Sequence, residues 1–352
     1  MDHGAIRIVN SVLGDASGGR WQVVCEYSRV LSQRGFRVLM LLNEARMPDL
    51  EQVPAGVRVE RIRSHGHYDY LAARNARSRL QDFSPDLAIA HCSRSLALLK
   101  RALRGRAPVA AVTHSNKVKR LLAADAYLPL TAHLEEKIRR AGPPVSTRPC
   151  HIVPNMIAVG AGRCPAMHRR APVRIGALGR FDPVKGFDVF IEALGLLRAR
   201  GQSFQALLGG SGGEGRRLHA RAEQLGLMGQ LVFPGWIGAV DDFLSGIDVL
   251  CVPARSDAFG LTPLQAAVAG VPMVLSQAAG HREIFMDGEQ ALFSNIDDAT
   301  ATADRIQQLI TDTALSERLR QAAHRHVVEH FSTNVVTEKL SQAIVSIVEY
   351  YK

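Results

Sequence analysis

The sequence predicts an α/β protein built from two doubly wound domains with parallel sheets. Three observations support this prediction. Short aliphatic or β-branched runs alternate with segments of helical period, a stretch rich in Pro, Gly and small residues divides them into two series, and the chain has 352 residues. Apolar runs separated by helices are typical of parallel sheets that are buried on both faces. At roughly 100–200 residues per domain, the length fits two such sheets.

The strand-like runs fall into two series along the chain. Those of the first half are residues 6–12, 37–42, 57–62, 86–92, 108–114 and 126–132. Those of the second half are residues 173–179, 204–210, 231–236, 248–254 and 272–276. Each series predicts one Rossmann-like domain, because alternating strands and helices of this kind form a doubly wound sheet.

The segment between the two series has no helical period, and we place the linker after Asn155. The predicted domains are residues 1–158 and 159–332. An amphipathic segment, residues 333–352, predicts a final helix behind the N-cap candidates Ser332 or Thr333, and we expect it to pack on the first domain. Two domains of this type are expected to face a cleft, because ligands bind beyond the carboxyl ends of parallel strands.

The composition narrows the class of protein. The apolar fraction of 47% and the charged fraction of 22% are typical of a globular protein. No apolar run reaches the ~18 residues that a membrane span needs. The first ten residues lack a basic start followed by an apolar core, so no signal peptide is expected. The five cysteines contain no C-x-x-C pair, which favours a cytoplasmic protein without structural zinc or disulfides.

The net charge of +10 is unevenly distributed. Residues 1–170 contain 27 Lys and Arg against 13 Asp and Glu, whereas residues 171–352 contain 16 against 20. A basic first half favours an anionic partner, such as a membrane surface, an acidic glycolipid or a nucleic acid. The alternative is a set of solvated arginines. Nucleic acid is disfavoured, because aromatic residues make up only 6% and no recognition motif is present.

Two cations follow the first strand-like run of the second domain, in the segment GRFDPVKGFDVFIEAL. Arg180 offers a planar fork of donors, Lys185 offers a mobile point charge, and a helix begins near Gly186. Both cations suit a diphosphate at the carboxyl end of a strand. The alternative is a pair of solvated charges.

An acid, a glycine and a helix start follow one another in PARSDAFGLTPLQAAVAGVP. Asp257 is suited to accept hydrogen bonds from hydroxyl groups, and the amides of Phe259, Gly260 and Leu261 are suited to hold a phosphate. Gln265, further along the helix, is able to bond further hydroxyls. The alternative is that Asp257 only caps the helix.

A glycine pair, Gly18 and Gly19, precedes a helix of the first domain. Glycine lets the backbone approach a ligand closely, and a helix N-terminus offers unpaired N–H groups. The alternative is a simple tight turn. Taken together, the amides, the two cations and the hydroxyl-binding polar groups fit a nucleotide-sugar.

These segments carry a resemblance to a known family. GRFDPVKGFDVFIEAL, FPGW, DVLCVPARSDAFGLTPLQAAVAGVPMVLS and GHREIF resemble the C-terminal signature of group 1 (family 4) glycosyltransferases, which have the GT-B fold. SGGRWQVVCEYSRVLSQRGFRV, PDLAIAHCSRS and HIVPN are similar to the matching N-terminal segments. The resemblance covers most of the chain in the same order. It implies sugar transfer from a nucleoside diphosphate donor with retention of configuration, without a metal or cofactor, and we expect UDP rather than GDP.

The resemblance implies a role for each residue of the phosphate site. Arg180 and Lys185 would neutralise the leaving diphosphate. The backbone at Gly18 and Gly19 would approach the same phosphate, and the amides of Phe259–Leu261 would complete its cradle.

The sugar and nucleoside contacts follow in the same way. Asp257 would contact hydroxyls of the donor sugar, Gln265 would contact the ribose, and Trp236 and Ile237 would lie near the base. The family has two glutamates eight residues apart where this chain has Asp257 and Gln265. Aspartate keeps the charge with a shorter reach, whereas glutamine loses the charge, which weakens a bidentate grip on a diol.

The acceptor is expected on the first domain. His114 stands where the family usually has a functional histidine, and it would bond the donor sugar or orient the acceptor. His91 is a second histidine at a strand end, and the alternative for both is a structural role. Lys117, Lys119 and Arg120 follow His114 and are expected to meet an anionic acceptor.

Further basic clusters lie at residues 74–79 and 100–106. Together with the apolar residues beside them, they are expected to dock on anionic lipid headgroups. We therefore predict a lipid-linked or lipopolysaccharide-type acceptor and a peripheral location on the cytoplasmic membrane face.

Two other functions remain open at this point. One is a nucleotide- or glycan-binding homologue that has no turnover and acts as a partner subunit. This alternative stays open because Asp257 and Gln265 replace the two glutamates of the family. The other is a sugar-nucleotide epimerase on the same fold, for which the sequence offers no additional acid–base carboxylates.

Overall fold

The computed structural model describes residues 6–14, 16, 18–46, 50–160, 163–167 and 169–352. Part of the predicted loop before the first helix, Asp15 and Ser17, lies outside these residues. So do residues 1–5 of the N-terminus, and residues 161–162 and 168 of the predicted linker.

The chain divides into two compact units. Unit 1 comprises Met1–Met156 and Thr333–Lys352, and unit 2 comprises Ile157–Ser332. Each contains a six-stranded, parallel sheet with helices between its strands. The predicted fold class is therefore confirmed. Within the described residues, no helix is long and apolar enough to cross a membrane.

Unit 1 has the strand order β3-β2-β1-β4-β5-β6. Its strands are β1 (Arg7–Val12), β2 (Arg37–Asn43), β3 (Arg58–Ile62), β4 (Leu87–Ala90), β5 (Val109–Thr113) and β6 (Ala126–Pro129). Its helices are α1 (Gly18–Gln33), α2 (Tyr70–Gln81), α3 (Ser93–Leu103), α4 (Ala132–Arg139) and α12 (Thr333–Tyr350). The central strands β1, β4 and β5 are almost wholly buried, as expected for a sheet that helices cover on both faces.

Unit 2 repeats the same winding, with the order β12-β11-β10-β7-β8-β9. Its strands are β7 (Val173–Leu178), β8 (Phe204–Gly209), β9 (Leu231–Gly235), β10 (Val249–Val252), β11 (Met273–Ser276) and β12 (Leu292–Ser294). Its helices are α5 (Phe187–Ala199), α6 (Gly215–Gln224), α7 (Val240–Ser245), α8 (Leu261–Val268), α9 (Ala279–Ile284), α10 (Ala299–Thr311) and α11 (Thr313–Phe331). Every predicted strand-like run overlaps one observed strand, with β2 extending one residue further, to Asn43, and β12 was not predicted from the sequence.

Helix α12 packs on unit 1. Its apolar stripe is buried, and Thr333 Oγ1 donates a hydrogen bond to Glu26 Oε1 of α1 at 3.0 Å. Glu338 pairs with Arg34 at 3.2 Å, and the Tyr351 hydroxyl donates to the Asp125 carbonyl at 2.7 Å. The chain therefore returns to unit 1 after it has completed unit 2.

Glycine sets the geometry where β7 and β10 end. Gly186, directly before α5, has φ +66°, and a Cβ at this position would lie 2.1 Å from the carbonyl oxygen of Pro253. No other residue fits there, because a side chain would meet both an unfavourable backbone conformation and a backbone atom. Glycine therefore lets the loop after β7 press against the loop after β10.

We expect Gly186→Ala to lower the free energy of unfolding of unit 2 by about 2–4 kcal/mol, from backbone strain plus overpacking. Gly201→Ala is the matched control, since Gly201 has φ +75° with nothing within 4 Å of a Cβ. It should cost only about 1 kcal/mol. Urea unfolding followed by Trp236 fluorescence in a Trp21→Phe background measures both. If both variants lost the same free energy of unfolding, the predicted collision of the methyl group of Gly186→Ala with the Pro253 carbonyl would be contradicted.

Candidate functional site

The centre of the site in unit 2 is an ion pair between Lys185 and Asp257. Lys185 ends the 3-10 turn Pro183–Lys185 after β7, and Asp257 lies in the loop after β10. Lys185 Nζ donates to Asp257 Oδ2 at 2.8 Å, with the two side chains 29% and 18% exposed. The structure thus brings together two of the predicted site residues.

Arg255 fastens the two loops that carry this pair. Its amide donates to the Val184 carbonyl at 2.8 Å. Its guanidinium pairs with Asp188 at 2.8 Å and with Asp297 at 2.6 Å. No role for Arg255 is predicted from the sequence, because the partners of its guanidinium are distant along the chain.

A buried histidine stands behind Asp257. His281 is 0% exposed, and its Nε2 lies 3.9 Å from Asp257 Oδ2, while Nδ1 lies 3.0 Å from the Ser276 carbonyl oxygen. A Cβ on Gly280 would lie 2.8 Å from the carbonyl oxygen of Asp257, so only glycine lets α9 begin this close. The motif GHREIF was recognised in the sequence, but the contact of its histidine was not.

These neighbours keep Asp257 ionised. Burial alone would raise the pKa of its carboxyl, but the positive charge of Lys185 and the contact with His281 outweigh burial and hold the pKa far below its usual range. Asp257 is therefore a permanent acceptor that is able to bind hydroxyl groups.

The turn into α8 connects Asp257 to the start of the helix. Gly260, with φ +111°, directly precedes α8. The Phe259 amide donates to Asp257 Oδ1 at 3.3 Å, so it supports the carboxylate. Because Pro263 lacks an N–H, the first-turn donors of the helix are the amides of Leu261 and Thr262.

The remaining residues predicted for unit 2 also follow strand ends. Arg180 is exposed after β7, and Trp236 is 60% exposed directly after β9. Ile237 is half-buried, and a Cβ on Gly209 would lie 2.7 Å from its Cγ1. Gln265 is half-buried in the second turn of α8. Since the carboxyl ends of parallel strands share one edge of a sheet, these residues and the ion pair lie along the same edge.

In unit 1 the two histidines predicted for the site contact each other. His91 follows β4 and His114 follows β5, and His91 Nδ1 lies 2.8 Å from His114 Nε2. Tyr27 of α1 packs edge-on against His91, with ring centroids 5.2 Å apart. A hydrogen bond between two neutral rings requires one to donate and the other to accept, so the tautomers of the pair are coupled.

Both rings are held neutral. Burial lowers the pKa of His114 to about 3, and the charge of Arg20 adds to the effect. Burial, His114 and Arg20 lower the pKa of His91 well below its ordinary value. The pair therefore offers a neutral donor or acceptor at physiological pH instead of a cation.

The other residues predicted for unit 1 are exposed. Gly18 and Gly19 are the first two residues of α1, instead of preceding it as predicted, and both are exposed. Lys117, Lys119 and Arg120, between β5 and β6, are also exposed.

The neutral histidine pair predicts an acid-sensitive unit 1. A lowered pKa means that the unfolded chain binds a proton that the folded chain does not, so stability falls as pH drops from about 6.5 towards about 3. We expect His114→Asn to flatten this dependence, whereas the exposed His65→Asn leaves it unchanged. Trp21 fluorescence in a Trp236→Phe background reports urea unfolding of unit 1. An equally steep dependence in His114→Asn would contradict the prediction.

Comparison with known proteins shows what the chain is similar to. The lipopolysaccharide core biosynthesis glycosyltransferase LpsE of Rhizobium meliloti (strain 1021) is 32% identical over 194 residues, which are 53% of this chain and 56% of LpsE. The mannosyltransferase LpsB of the same strain is 28% identical over 182 residues, 50% of this chain and 51% of LpsB. The matches therefore span about half the length of these curated relatives.

Solved structures are similar over nearly the whole chain. Anabaena Alr3699/HepE in complex with UDP and glucose has a TM-score of 0.83 at 17% identity, covering 97% of this chain and 100% of that one. The lipopolysaccharide outer core galactosyltransferase WaaB in its apo form has a TM-score of 0.76 at 16% identity, covering 97% and 99%. At 16–17% identity, this structural similarity shows a shared fold.

Two family models match the chain, one in each unit. The model of glycosyltransferase family 4 matches residues 17–159, and that of the group 1 glycosyl transferases matches residues 169–326. Together they account for most of the chain, in the order that the sequence motifs predict. The chain belongs to the group 1 glycosyltransferase family and has the GT-B fold.

Proposed function

We propose that the protein transfers a sugar from a nucleoside diphosphate donor to a saccharide or glycolipid acceptor, with retention of configuration. The observation that carries this proposal is the Lys185–Asp257 pair beside the first-turn amides of α8. One edge of unit 2 thus combines a cation, a permanently ionised acceptor and unpaired backbone donors. A nucleotide-sugar suits all three, because its diphosphate can bind the cation and the backbone donors and its sugar hydroxyls can bind the ionised acceptor.

The charged groups of unit 2 suit cleavage of the bond between the sugar and the diphosphate. When the sugar leaves, negative charge develops on the diphosphate and positive charge on the sugar ring. Arg180, Lys185 and the α8 amides stabilise the first, and the carboxylate of Asp257 binds the sugar. In the metal-independent reaction that we propose, the acceptor hydroxyl attacks on the face that the diphosphate leaves, and the departing phosphate takes its proton.

UDP is the first donor nucleotide to test. The solved structures with this fold include Alr3699/HepE with UDP-glucose and a mutant of S. aureus TarM with UDP. The exposed Trp236 and Ile237 beside it are the residues that we assign to the base.

An anionic saccharide is the acceptor that the charge of unit 1 favours. Relatives include LpsE and LpsB of lipopolysaccharide core biosynthesis and a phosphatidyl-myo-inositol mannosyltransferase of Mycobacterium leprae. Lys117, Lys119 and Arg120 supply exposed positive charge close in sequence to His114. We assign His114 and His91 to orientation of the acceptor or donor sugar on the cytoplasmic side of the membrane.

A second candidate function is donor binding without turnover. It is favoured by the ion pair between Lys185 and Asp257, because the carboxylate neutralises part of the positive charge that would bind a diphosphate. The neutral Gln265 also grips a ribose diol more weakly than a carboxylate would. Thermal shift with UDP- and GDP-sugars detects the donor in either case, because ligand binding stabilises the fold by mass action. Donor hydrolysis or transfer then separates an enzyme from a binding protein.

We expect Lys185→Ala to reduce transfer or donor hydrolysis by at least ~100-fold, the scale of one lost transition-state contact. Lys185→Arg keeps the charge and should retain part of the activity. Lys339→Ala, on the exposed face of α12, removes an equal charge elsewhere and should leave activity unchanged. Turnover assays on the full chain with the best donor measure all three. Wild-type turnover in Lys185→Ala would remove Lys185 from the diphosphate site.

A further inference from the structure

A buried histidine of unit 2 has one ring nitrogen without a hydrogen bond. His281, in the short helix α9, is 0% exposed, and no described residue lies within hydrogen-bond distance of its Nε2. A polar atom that is buried without a partner costs free energy. What this nitrogen does depends on where the ring carries its protons.

The other ring nitrogen, Nδ1, carries a proton. It lies 3.0 Å from the Ser276 carbonyl oxygen and 3.4 Å from Ser276 Oγ. The Ser276 hydroxyl donates its own proton to the Ala254 carbonyl oxygen at 2.5 Å. Both oxygens beside Nδ1 are therefore acceptors, and only a protonated Nδ1 can bind them.

The Nε2 side of the ring faces a carboxylate. Nε2 lies 3.9 Å from Asp257 Oδ2. If Nδ1 carried the only proton, Nε2 would turn its lone pair towards an anionic oxygen. A second proton, at Nε2, replaces this repulsion with an attraction between opposite charges. The imidazolium form of His281 therefore suits the groups on both sides of the ring.

Backbone contacts fix the ring in this place. The Gly280 amide donates to the Asp257 carbonyl oxygen at 3.2 Å, which joins α9 to the loop that carries the carboxylate. On the other side, a Cβ on Gly260 would lie 3.1 Å from His281 Cδ2, so the turn into α8 packs directly on the ring. His281 is thus a fixed neighbour of Asp257.

Lys185 reaches the same carboxylate oxygen as a mobile neighbour. Its Nζ lies 2.8 Å from Asp257 Oδ2, and its side chain is 29% exposed, whereas that of His281 is fully buried. A lysine has a flexible four-carbon stem and can turn from one anion to another, but a buried ring cannot. Of the two groups beside Oδ2, only Lys185 is able to leave.

We propose that His281 is a positioning residue, which stays paired with Asp257 as an imidazolium while Lys185 leaves this carboxylate to bind the donor diphosphate. The inference rests on the proposed function, which assigns Lys185 to the diphosphate. When Lys185 departs, a mostly buried carboxylate loses a counter-charge, and this costs less when an imidazolium remains beside it. The ion pair seen without a donor is then compatible with diphosphate binding.

The protons of the ring are tested in a measurement that needs no donor. Nitrogen NMR of the full chain with labelled histidine, at neutral pH, distinguishes a ring with two N–H groups from one with a bare Nε2. The spectrum of His281→Asn assigns the signals. We expect two N–H groups in the wild type and one, at Nδ1, in Asp257→Asn, because the anion that holds the second proton is gone. A bare Nε2 in the wild type overturns the proposal.

The effect on Lys185 is tested by binding of UDP, which carries the diphosphate without a sugar. We expect His281→Asn to weaken UDP binding at least about tenfold, the scale of one lost charged contact. This variant keeps an amide near the Ser276 carbonyl but reaches too short a distance to contact Asp257. His281→Gln has the longer reach and should retain part of the affinity.

Two comparisons separate positioning from a general loss of stability. His324→Asn is the matched control, because His324 is also buried in unit 2, with Nδ1 3.2 Å from the Ala267 carbonyl oxygen, and this variant should bind UDP normally. In a Lys185→Ala background, His281→Asn should cause no further loss, since it acts through Lys185.

The proposal is overturned if His281→Asn binds UDP like the wild type, or if its effect simply adds to that of Lys185→Ala. A wild type that does not bind UDP contradicts the proposed donor instead, and the two N–H groups of the ring then decide on His281.

Discussion

The contact between Gly186 and Pro253 is the constraint on which the site of unit 2 depends. At this point the two loops approach so closely that a single methyl group would collide with a carbonyl oxygen. The approach puts Lys185 within 2.8 Å of Asp257, and Arg255 then fixes the same two loops through Asp188 and Asp297. A charged pair that is mostly buried is stable only when its geometry is well supported, and the backbone provides that support here.

The two units have opposite effects on the ionisation of their polar groups. Unit 2 stabilises charge, because Lys185 and His281 lower the pKa of Asp257 and keep it ionised. Unit 1 suppresses charge, because burial and Arg20 lower the pKa of His114 and keep its ring neutral. An ionised carboxylate and a neutral imidazole both accept hydrogen bonds from hydroxyls, but only the imidazole can also donate one. The same doubly wound fold therefore holds an ionised acceptor in one unit and a neutral donor or acceptor in the other.

Much of the architecture could be predicted from the sequence, because inner strands of a parallel sheet are buried on both faces and appear as continuous apolar runs. Strand β12 was not predicted, because it has only three residues. Asp257 and Lys185 could be predicted as neighbours because each follows a strand, and the carboxyl ends of parallel strands share one edge of the sheet. The contacts of His281 and Arg255 were not found, since their partners are brought close only by the fold. The use of the Phe259 amide by Asp257 likewise depends on a turn conformation that residue types do not specify.

The position of α12 has a consequence for the order in which the chain can fold. Unit 2 is an insertion within unit 1, since the residues of unit 1 lie both before and after it. During synthesis, unit 2 is complete once residue 332 has emerged, whereas unit 1 still lacks a helix that buries Val336, Leu340 and Ile344. Until that helix arrives, the surface of unit 1 on which it packs is open to water. The first unit to be started is therefore the last to be finished.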